Sequence, residues 1–303
     1  DSLCGTSAQF TNCGAEGRFG PTQSQCDQEY GSSVVTSDGG IQMWSVVTSG
    51  IYRITAAGAR GGNPGGGIIN HGNGAVVEGF GYLEAGTTLR ILVGQKGSDS
   101  YDSYNGSGGG GSFVFLNAMD SIPLIVAGGG GGGAMDGEVS FNSAMNASVF
   151  SDGNPGINTG GVSLNFNNGM DGMGGGSSSG GFDAGGGAGW IGDGQGGNTL
   201  CGYTVTGGVS PRNGGFGGLG GNYDGGGSNM PGGFGGGGGG SGACNSSGGG
   251  GGGYSGGGMG HGCCTSRGGG GGSFLAPEFE LFSVLASSND GHGYVSIEIL
   301  LAD

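Results

Sequence analysis

Positively charged side chains are scarce in this sequence. Seven lysines and arginines stand against 22 aspartates and glutamates, which gives a formal net charge of -15 at pH 7. Proteins that bind nucleic acid need a basic surface to neutralise phosphates, and anionic membranes likewise attract basic segments. The composition therefore argues against nucleic acids and anionic membrane surfaces as partners.

Long apolar runs are also missing. No stretch approaches the roughly 20 apolar residues that a membrane-spanning helix needs. The first residues, from Asp1 onward, do not follow the pattern of a secretion leader. Together these features predict a mature, secreted extracellular protein without a membrane span.

Proline is rare, with seven residues against 91 glycines. Collagen needs a strict Gly-X-Y period and abundant proline, so the composition excludes a collagen triple helix. No window of helical length carries an apolar period of about 3.6 residues, and we therefore predict almost no α-helix.

Motifs for catalysis and metal binding are weak or absent. The sequence has no CxxC pair and only three scattered histidines, so a structural zinc site is not expected. The sequence GYSGG at 253–257 matches a nucleophile elbow, but glycine surrounds it on both sides where that elbow needs a strand and a helix. We predict a non-enzymatic protein with no catalytic residue, no metal ligand and no cofactor.

Seven cysteines and three glycosylation sequons favour an oxidising, extracellular compartment. The odd number of cysteines leaves one thiol unpaired or bonded to another chain. The sequons begin at Asn105, Asn146 and Asn245, although an asparagine- and serine-rich chain also produces such matches by chance.

Short apolar runs are concentrated towards the two ends of the chain. They are rich in β-branched and aromatic residues and bounded by glycine, serine or asparagine, which is typical of β-strands. We predict one discontinuous sandwich from residues 1–127 and 273–303, since a Greek-key or jelly-roll sandwich allows its last strands to return after a long insertion. The predicted strands are 41–47, 51–57, 75–83, 89–93, 113–116, 122–127, 274–285 and 293–301.

Residues 128–272 are dominated by glycine. One interpretation is a flexible linker, since glycine loses the most backbone entropy on ordering. The other is ordered polyglycine, because extended helices without Cβ atoms can pack closely and hydrogen-bond to one another. Bulky residues and two cysteines inside the block favour ordered packing, because a spacer needs neither. Trp44 is expected in the sandwich core and Trp190 against the packed glycines.

Several stretches match a known receptor family in the family's order. Through them the chain resembles, over nearly its whole length, the extracellular glycine-rich region of the anaplastic lymphoma kinase and leukocyte tyrosine kinase receptors. The first stretch, with its two cysteines, and the final GHG strand are the most specific. The stretches are FTNCGAEGRFGPTQSQC (10–26), GIQMWSV (40–46), GIYRITAAGARGG (50–62), LRILVGQKG (89–97), GGGGSFVF (108–115), PLIVAGGGGGGAM (123–135), GGFGGGGGGSGACNSSGGGGGGYSGG (232–257) and GHGYVSIEI (291–299).

The resemblance implies an all-β fold. It would be a tumour-necrosis-factor-like jelly-roll sandwich that carries an inserted subdomain of packed polyglycine-II helices at 128–272. The resemblance also implies two disulfides, Cys13–Cys26 and Cys201–Cys244, because these positions match cysteines of the family.

Three cysteines have no partner assigned by the resemblance: Cys4, Cys263 and Cys264. Adjacent cysteines rarely form a disulfide with each other, so a disulfide between Cys4 and one of the other two is a plausible pairing. The remaining thiol would then be available for a bond between chains.

The sequence also departs from the family. In the family an acidic loop after a Gly-Tyr-x-Gly-Gly stretch helps to bind a basic cytokine, whereas residues 259–272 carry no carboxylate and one arginine. The chain also stops after the last strand, without the family's membrane span and kinase domain. With the surplus cysteines and a rigid glycine surface, these differences favour a secreted structural protein. It would assemble with copies of itself in a matrix, filament or adhesive coat. Disulfide bonds between the copies are one option.

Two other functions stay open from the sequence. One is the ligand-binding ectodomain of a receptor of this family, or a soluble form of it, which would capture a basic protein ligand. The other, which the sequence supports less, is a flat polyglycine face that binds ice, glycans or mineral.

Overall fold

The computed structural model describes residues 7–100, 105–116, 122–135, 142–158, 160–163, 167–176, 184–197, 204–221, 230–242, 247–262 and 265–302. One α-helix, α1 (Gln23–Tyr30), and two single turns of 3-10 helix lie in these parts of the chain. The strands there are β1 (Ser7–Phe10), β2 (Thr36–Asp38), β3 (Ile41–Ser45), β4 (Gly50–Ala57), β5 (Gly74–Leu83), β6 (Thr88–Leu92), β7 (Ser112–Leu116), β8 (Ile125–Ala127), β9 (Phe274–Leu275), β10 (Glu280–Asn289) and β11 (Tyr294–Ala302).

The strands form two antiparallel sheets that pack face to face. Sheet A has the order β1-β11-β4-β5-β10, and sheet B has the order β2-β3-β6-β7-β8-β9. The residues of β4 and β5 largely alternate between buried and partly exposed, because successive side chains of a strand point to opposite faces. Strands from the two ends of the chain meet in sheet A, where Ile54 lies opposite Ile297. The predicted all-β sandwich is confirmed.

The two sheets enclose one hydrophobic core. Phe10 in sheet A and Trp44 in sheet B meet edge to face, with 6.0 Å between their ring centroids, a favourable arrangement for aromatic pairs. The expected place of Trp44 is therefore correct. Fully buried members of this core include Ile54, Leu89, Ile91, Val93, Val114, Ile125 and Val295.

A second hydrophobic core lies on the other face of sheet B. Phe113 and Phe115 flank Val114 in β7 and point away from the sandwich core, which Val114 faces. Trp190, from the glycine-rich block, packs against these two rings, and Phe234 from the same block belongs to the same buried cluster. The glycine-rich block is thus a third layer that covers sheet B.

The glycine-rich segments form a hydrogen-bonded lattice, so the linker interpretation is wrong. Every third amide of segment 128–133 donates to the same neighbour: Gly129 and Gly132 both bond to segment 249–252. The next amides along the chain, those of Gly130 and Gly133, both donate to segment 59–62. A repeat of three residues matches the polyglycine-II helix, which has about three residues per turn and no internal hydrogen bonds. The same repeat occurs in segments 106–111, 248–253 and 268–272.

The close approach of these helices excludes side chains. A Cβ atom added to Gly130 would overlap the carbonyl oxygen of Gly72, and one added to Gly108 would overlap that of Gly250. The obstructing atoms belong to backbone, which cannot rotate away as a side chain can. The lattice therefore requires glycine itself rather than small residues in general.

The lattice extends beyond residues 128–272. Segments 59–62 and 106–111, which lie between strands of the sandwich, take part in it as well. The described strands fall within residues 7–127 and 274–302. The division into a sandwich and an insert at these boundaries stays a prediction.

Helix α1 is a short exception to the predicted lack of helix. The Thr22 hydroxyl accepts the Gln25 amide while the Gln25 side chain accepts the Thr22 amide, which is a capping box. The T-x-x-Q pattern in GPTQSQC is its sequence signal. Two short strands, β1 and β2, also went unpredicted. The predicted strand 274–285 is divided into β9 and β10 around Pro277, which has no amide for a ladder.

Candidate interaction surface

Sheet A has one face against the sandwich core and one outward face that no described part of the chain covers. Along β5, residues 76, 78, 80 and 82 are partly or fully exposed while their neighbours are buried. Most monomeric proteins keep large apolar side chains off such a face. The apolar side chains of the outer face of sheet A are Ile51, Val76, Phe80, Tyr82, Phe282, Leu285 and Leu301.

The same face carries an excess of negative charge. Arg53 bonds to Glu298 on one neighbouring strand, and its Nε lies 3.6 Å from Glu78 Oε1 on the other. Glu280, at the start of β10, is exposed and lies opposite Phe80 in the register. The face therefore carries three carboxylates and one guanidinium, and it suits a positively charged partner surface.

Phe282 is the most prominent aromatic side chain of this face. It is 61% exposed, and its ring centroid lies 5.3 Å from that of Phe80 in an edge-to-face contact. The register of β10 shifts between Leu281 and Ser283, and this bulge displaces Phe282 from the regular ladder. A second irregularity follows Leu285, so little regular edge remains for non-specific strand addition.

A groove lies on another part of the surface, at the free edge of sheet B beside β2. It has a volume of about 260 Å³ and is lined by the segment that precedes α1, the turn between β2 and β3, and Phe216 from the glycine-rich block. Phe19 is 58% exposed, and its ring centroid lies 5.5 Å from that of Phe216. The groove therefore has an aromatic wall that faces solvent.

Arginines lie near this groove, and Arg18 is the one that contacts a residue of its wall. The guanidinium carbon of Arg18 lies 4.9 Å from the ring centroid of Phe19, a cation–π contact. Arg212 follows on the turn just before Phe216 and lies over the Trp190 ring. On the other side, Asp38 is paired with Arg90 at 3.5 Å. Arg18 thus places one positive charge beside the aromatic wall, whereas the ion pair of Asp38 and Arg90 adds no net charge.

The loop between β10 and β11 belongs to a separate polar cluster. Arg60 binds Asp99 through two hydrogen bonds of 2.8 and 2.9 Å. His71 Nε2 lies 2.7 Å from an oxygen of Asp290, the first residue of the loop. His292 Nδ1 accepts the backbone amide of Lys96 at 3.2 Å. These contacts fasten the GHG loop to the first lattice segments, which indicates a structural role.

The pKa of His292 is lowered by burial and, next, by the charge of Lys96, although Glu16 acts in the opposite direction. A proton on Nδ1 would also remove the acceptor of the Lys96 amide. The folded pKa lies below the unfolded value of about 6.5, so the unfolded chain binds more protons on acidification. Stability that is present above about pH 6.5 is therefore lost as the pH falls.

We expect thermal unfolding midpoints to fall between about pH 7 and about pH 5, and to fall less steeply in His292→Asn. The asparagine oxygen can still accept the Lys96 amide, so the two proteins should agree near pH 8. His71, whose pKa is lowered by burial and by Arg60, retains part of the dependence in the variant. Identical pH profiles for the two proteins would contradict the assignment to His292.

The structure brings together one predicted cysteine pair. Cys13 and Cys26 form a disulfide with 5.1 Å between their Cα atoms, which is within the usual range. It ties α1 to the segment after β1. The other predicted positions lie outside the described residues: Cys4, Cys201, Cys244, Cys263 and Cys264.

Two of the three sequon asparagines are buried. Asn105 is 0% exposed and Asn146 is 7% exposed, and Asn146 Oδ1 accepts the Asn73 amide at 2.9 Å. A glycan needs an amide that faces solvent, so burial argues against attachment at these two positions. Asn245 lies outside the described residues.

The sequence analysis did not single out Phe282 or Phe19, the exposed aromatic residues of the two surfaces. Phe19 lies in the turn-like sequence GRFGP, where a large apolar side chain has few local contacts, and this was a usable signal. Phe282 follows Leu281 directly, so two apolar residues interrupt the alternation of a strand. That break indicates the bulge that displaces Phe282.

No family model matches the chain. A stretch of 98 residues is 42% identical to the leukocyte tyrosine kinase receptor of Mus musculus, and it covers 30% of this chain but only 11% of that receptor. Within the described residues, no helix has the length and apolar character needed to cross a membrane. The identity agrees with the motifs found in the sequence: the chain is related to the extracellular region of receptors of the leukocyte tyrosine kinase and anaplastic lymphoma kinase type.

Proposed function

We propose that this chain is a secreted, non-enzymatic extracellular module that assembles with further copies of itself into a matrix, filament or coat. The proposal rests on a difference between the outer faces of the two sheets. The lattice covers the outer face of sheet B, whereas the outer face of sheet A presents Phe282, Leu285 and Leu301 to solvent. Exposed apolar patches with a polar rim mark sites of protein association.

The lattice supports an assembly function by making the module rigid. Its helices are fixed by hydrogen bonds to several neighbours, and the disulfide between Cys13 and Cys26 restrains the N-terminal part. Association costs less free energy when the contacting surfaces are ordered beforehand. A rigid module can therefore form regular contacts through surfaces of modest size.

Light scattering across a concentration series, combined with electron microscopy, tests the proposal. We expect the average mass of the purified chain to rise with concentration and micrographs to show regular filaments or sheets. Covalent multimers on a non-reducing denaturing gel that disappear on reduction would assign the odd cysteine to a disulfide between chains. A monomer mass at every concentration, with and without reductant, would overturn the assembly function.

The relationship to a receptor favours a second candidate, a ligand-binding ectodomain or a soluble form of one. The chain has a net charge of -15, which would attract a basic protein ligand. Tyr254, in the stretch that resembles the family's binding region, stacks on Phe274 with 4.2 Å between ring centroids, so one side of its ring is covered. A monomer that captures a basic protein, with affinity that falls as salt rises, would support this candidate over assembly.

A further inference from the structure

We infer that the two surfaces described above bind each other between copies: the outer face of sheet A of one copy docks, through Phe282, into the groove beside Phe19 of the next. This inference rests on the proposed assembly function and names the contact that performs it. The occupant of each surface is thus a second copy of this chain.

The shapes of the two surfaces are complementary. The Phe282 ring projects from the bulge of β10, with its centroid 5.3 Å from that of Phe80 on the sheet beside it. The groove has a volume of about 260 Å³, whereas an engineered cavity of about 150 Å³ is enough to hold a benzene ring. One phenyl ring therefore fits in the groove beside the touching rings of Phe19 and Phe216, where a further edge-to-face contact is available.

The charges of the two surfaces are also complementary. On the face of sheet A that carries Phe282, the carboxylates of Glu280, Glu78 and Glu298 outnumber the single guanidinium of Arg53. Beside the groove, Arg18 stacks on Phe19, and its buried Nε has no hydrogen-bond partner among the described residues. Opposite charges at the rim of an apolar contact fix its register and disfavour wrong partners.

Charge also disfavours pairing of like surfaces. Two sheet A faces would bring together two sets of glutamates, and the chain as a whole carries -15. Contact between sheet A and the groove avoids this juxtaposition because it brings the glutamates of sheet A towards Arg18 rather than towards a second set of glutamates. Such a contact is heterologous, so each copy keeps one free face and one free groove, and assembly continues as an open filament unless the rotation closes a ring.

Two variants that each disable one surface test this pairing. Phe282→Asp removes the aromatic group from the face, and Phe19→Asp places a carboxylate in the groove wall. We expect each variant alone to raise the protein concentration needed for assembly by at least about tenfold, the loss typical of a central aromatic anchor. Phe150→Asp is the matched control, because Phe150 is also highly exposed but belongs to neither surface.

The decisive sample is an equimolar mixture of the two variants. Phe19→Asp keeps an intact face and Phe282→Asp keeps an intact groove. The mixture should therefore form discrete dimers that cannot grow further. Rescue to dimers also shows that both variants are folded.

Three results separate the possibilities. Wild-type chain that stays monomeric overturns the proposed function itself. Wild-type chain that assembles while both variants assemble equally well overturns only the inferred contact. Variants that fail alone and also fail when mixed overturn the pairing of sheet A with the groove.

Discussion

Gly130→Ala is expected to destabilise the protein by about 3 kcal/mol or more, at or above the upper end of over-packing costs. A Cβ atom at this position would overlap the carbonyl oxygen of Gly72. Gly130 is held on two further sides, since it donates to the Ala59 carbonyl at 2.9 Å and accepts the Gly109 amide at 2.8 Å. Relief of the overlap must move one helix away from another and weaken hydrogen bonds along both.

Gly160→Ala is the matched control for this prediction. Gly160 is exposed, and among the described residues an added Cβ would meet only the Asn158 side chain, at 3.5 Å. We expect a change within about 0.5 kcal/mol, as for most surface substitutions. Urea unfolding monitored by circular dichroism measures both variants. Equal stability of the two would show that the lattice tolerates side chains and that glycine is not required for its packing.

The sandwich was largely predictable because most of its strands can be recognised from their own short sequences. The predicted strand 51–57 matches the observed Gly50–Ala57, since alternate apolar residues in one short window are enough to define it. β1 was missed because SAQF has little apolar character of its own and is stabilised by pairing with β11 at the far end of the chain. Helix α1 has a low apolar content, and only its capping box was visible in the sequence.

The sequence predicted that the glycine-rich block is ordered, but not which of its segments bond to each other. Aromatic residues and cysteines within the glycine block indicated order, yet one glycine run is locally equivalent to another. Nothing in segment 128–133 specifies that it bonds to segment 249–252 rather than to another run. The partners become identifiable only in the folded chain, where Trp190 and Phe234 of the glycine-rich block belong to the cluster on sheet B. For the same reason the exposed face of sheet A could not be identified before the covered face was known.

Trp190→Ala is expected to cost about 3–5 kcal/mol, the range for truncation of large core aromatic residues. Trp190 is 1% exposed, and its ring centroid lies 5.1 Å from that of Phe115 and 6.1 Å from that of Phe113. It is the largest side chain that joins the lattice to sheet B. Its removal leaves a cavity between two layers that are otherwise rigid and cannot collapse to fill it.

Two matched variants separate the possible causes of this loss. Ile191→Ala changes the next residue, which is 47% exposed, and should have little effect. Trp190→Phe keeps an aromatic ring but removes the indole Nε1, which is buried without a hydrogen-bond partner among the described residues. We expect Trp190→Phe to lose less than half as much stability as Trp190→Ala, because packing rather than a hydrogen bond holds this ring.

Hydrogen exchange adds a measurement that global unfolding cannot supply. If Trp190 anchors the lattice on the sandwich, Trp190→Ala should accelerate exchange of glycine amides such as Gly129 and Gly252 more than that of Ile54 in the sandwich core. Local opening reports the stability of each layer separately. Equal acceleration in both layers would show instead that the two form one cooperative unit. In that case the glycine lattice would be part of the sandwich core itself rather than a layer docked upon it.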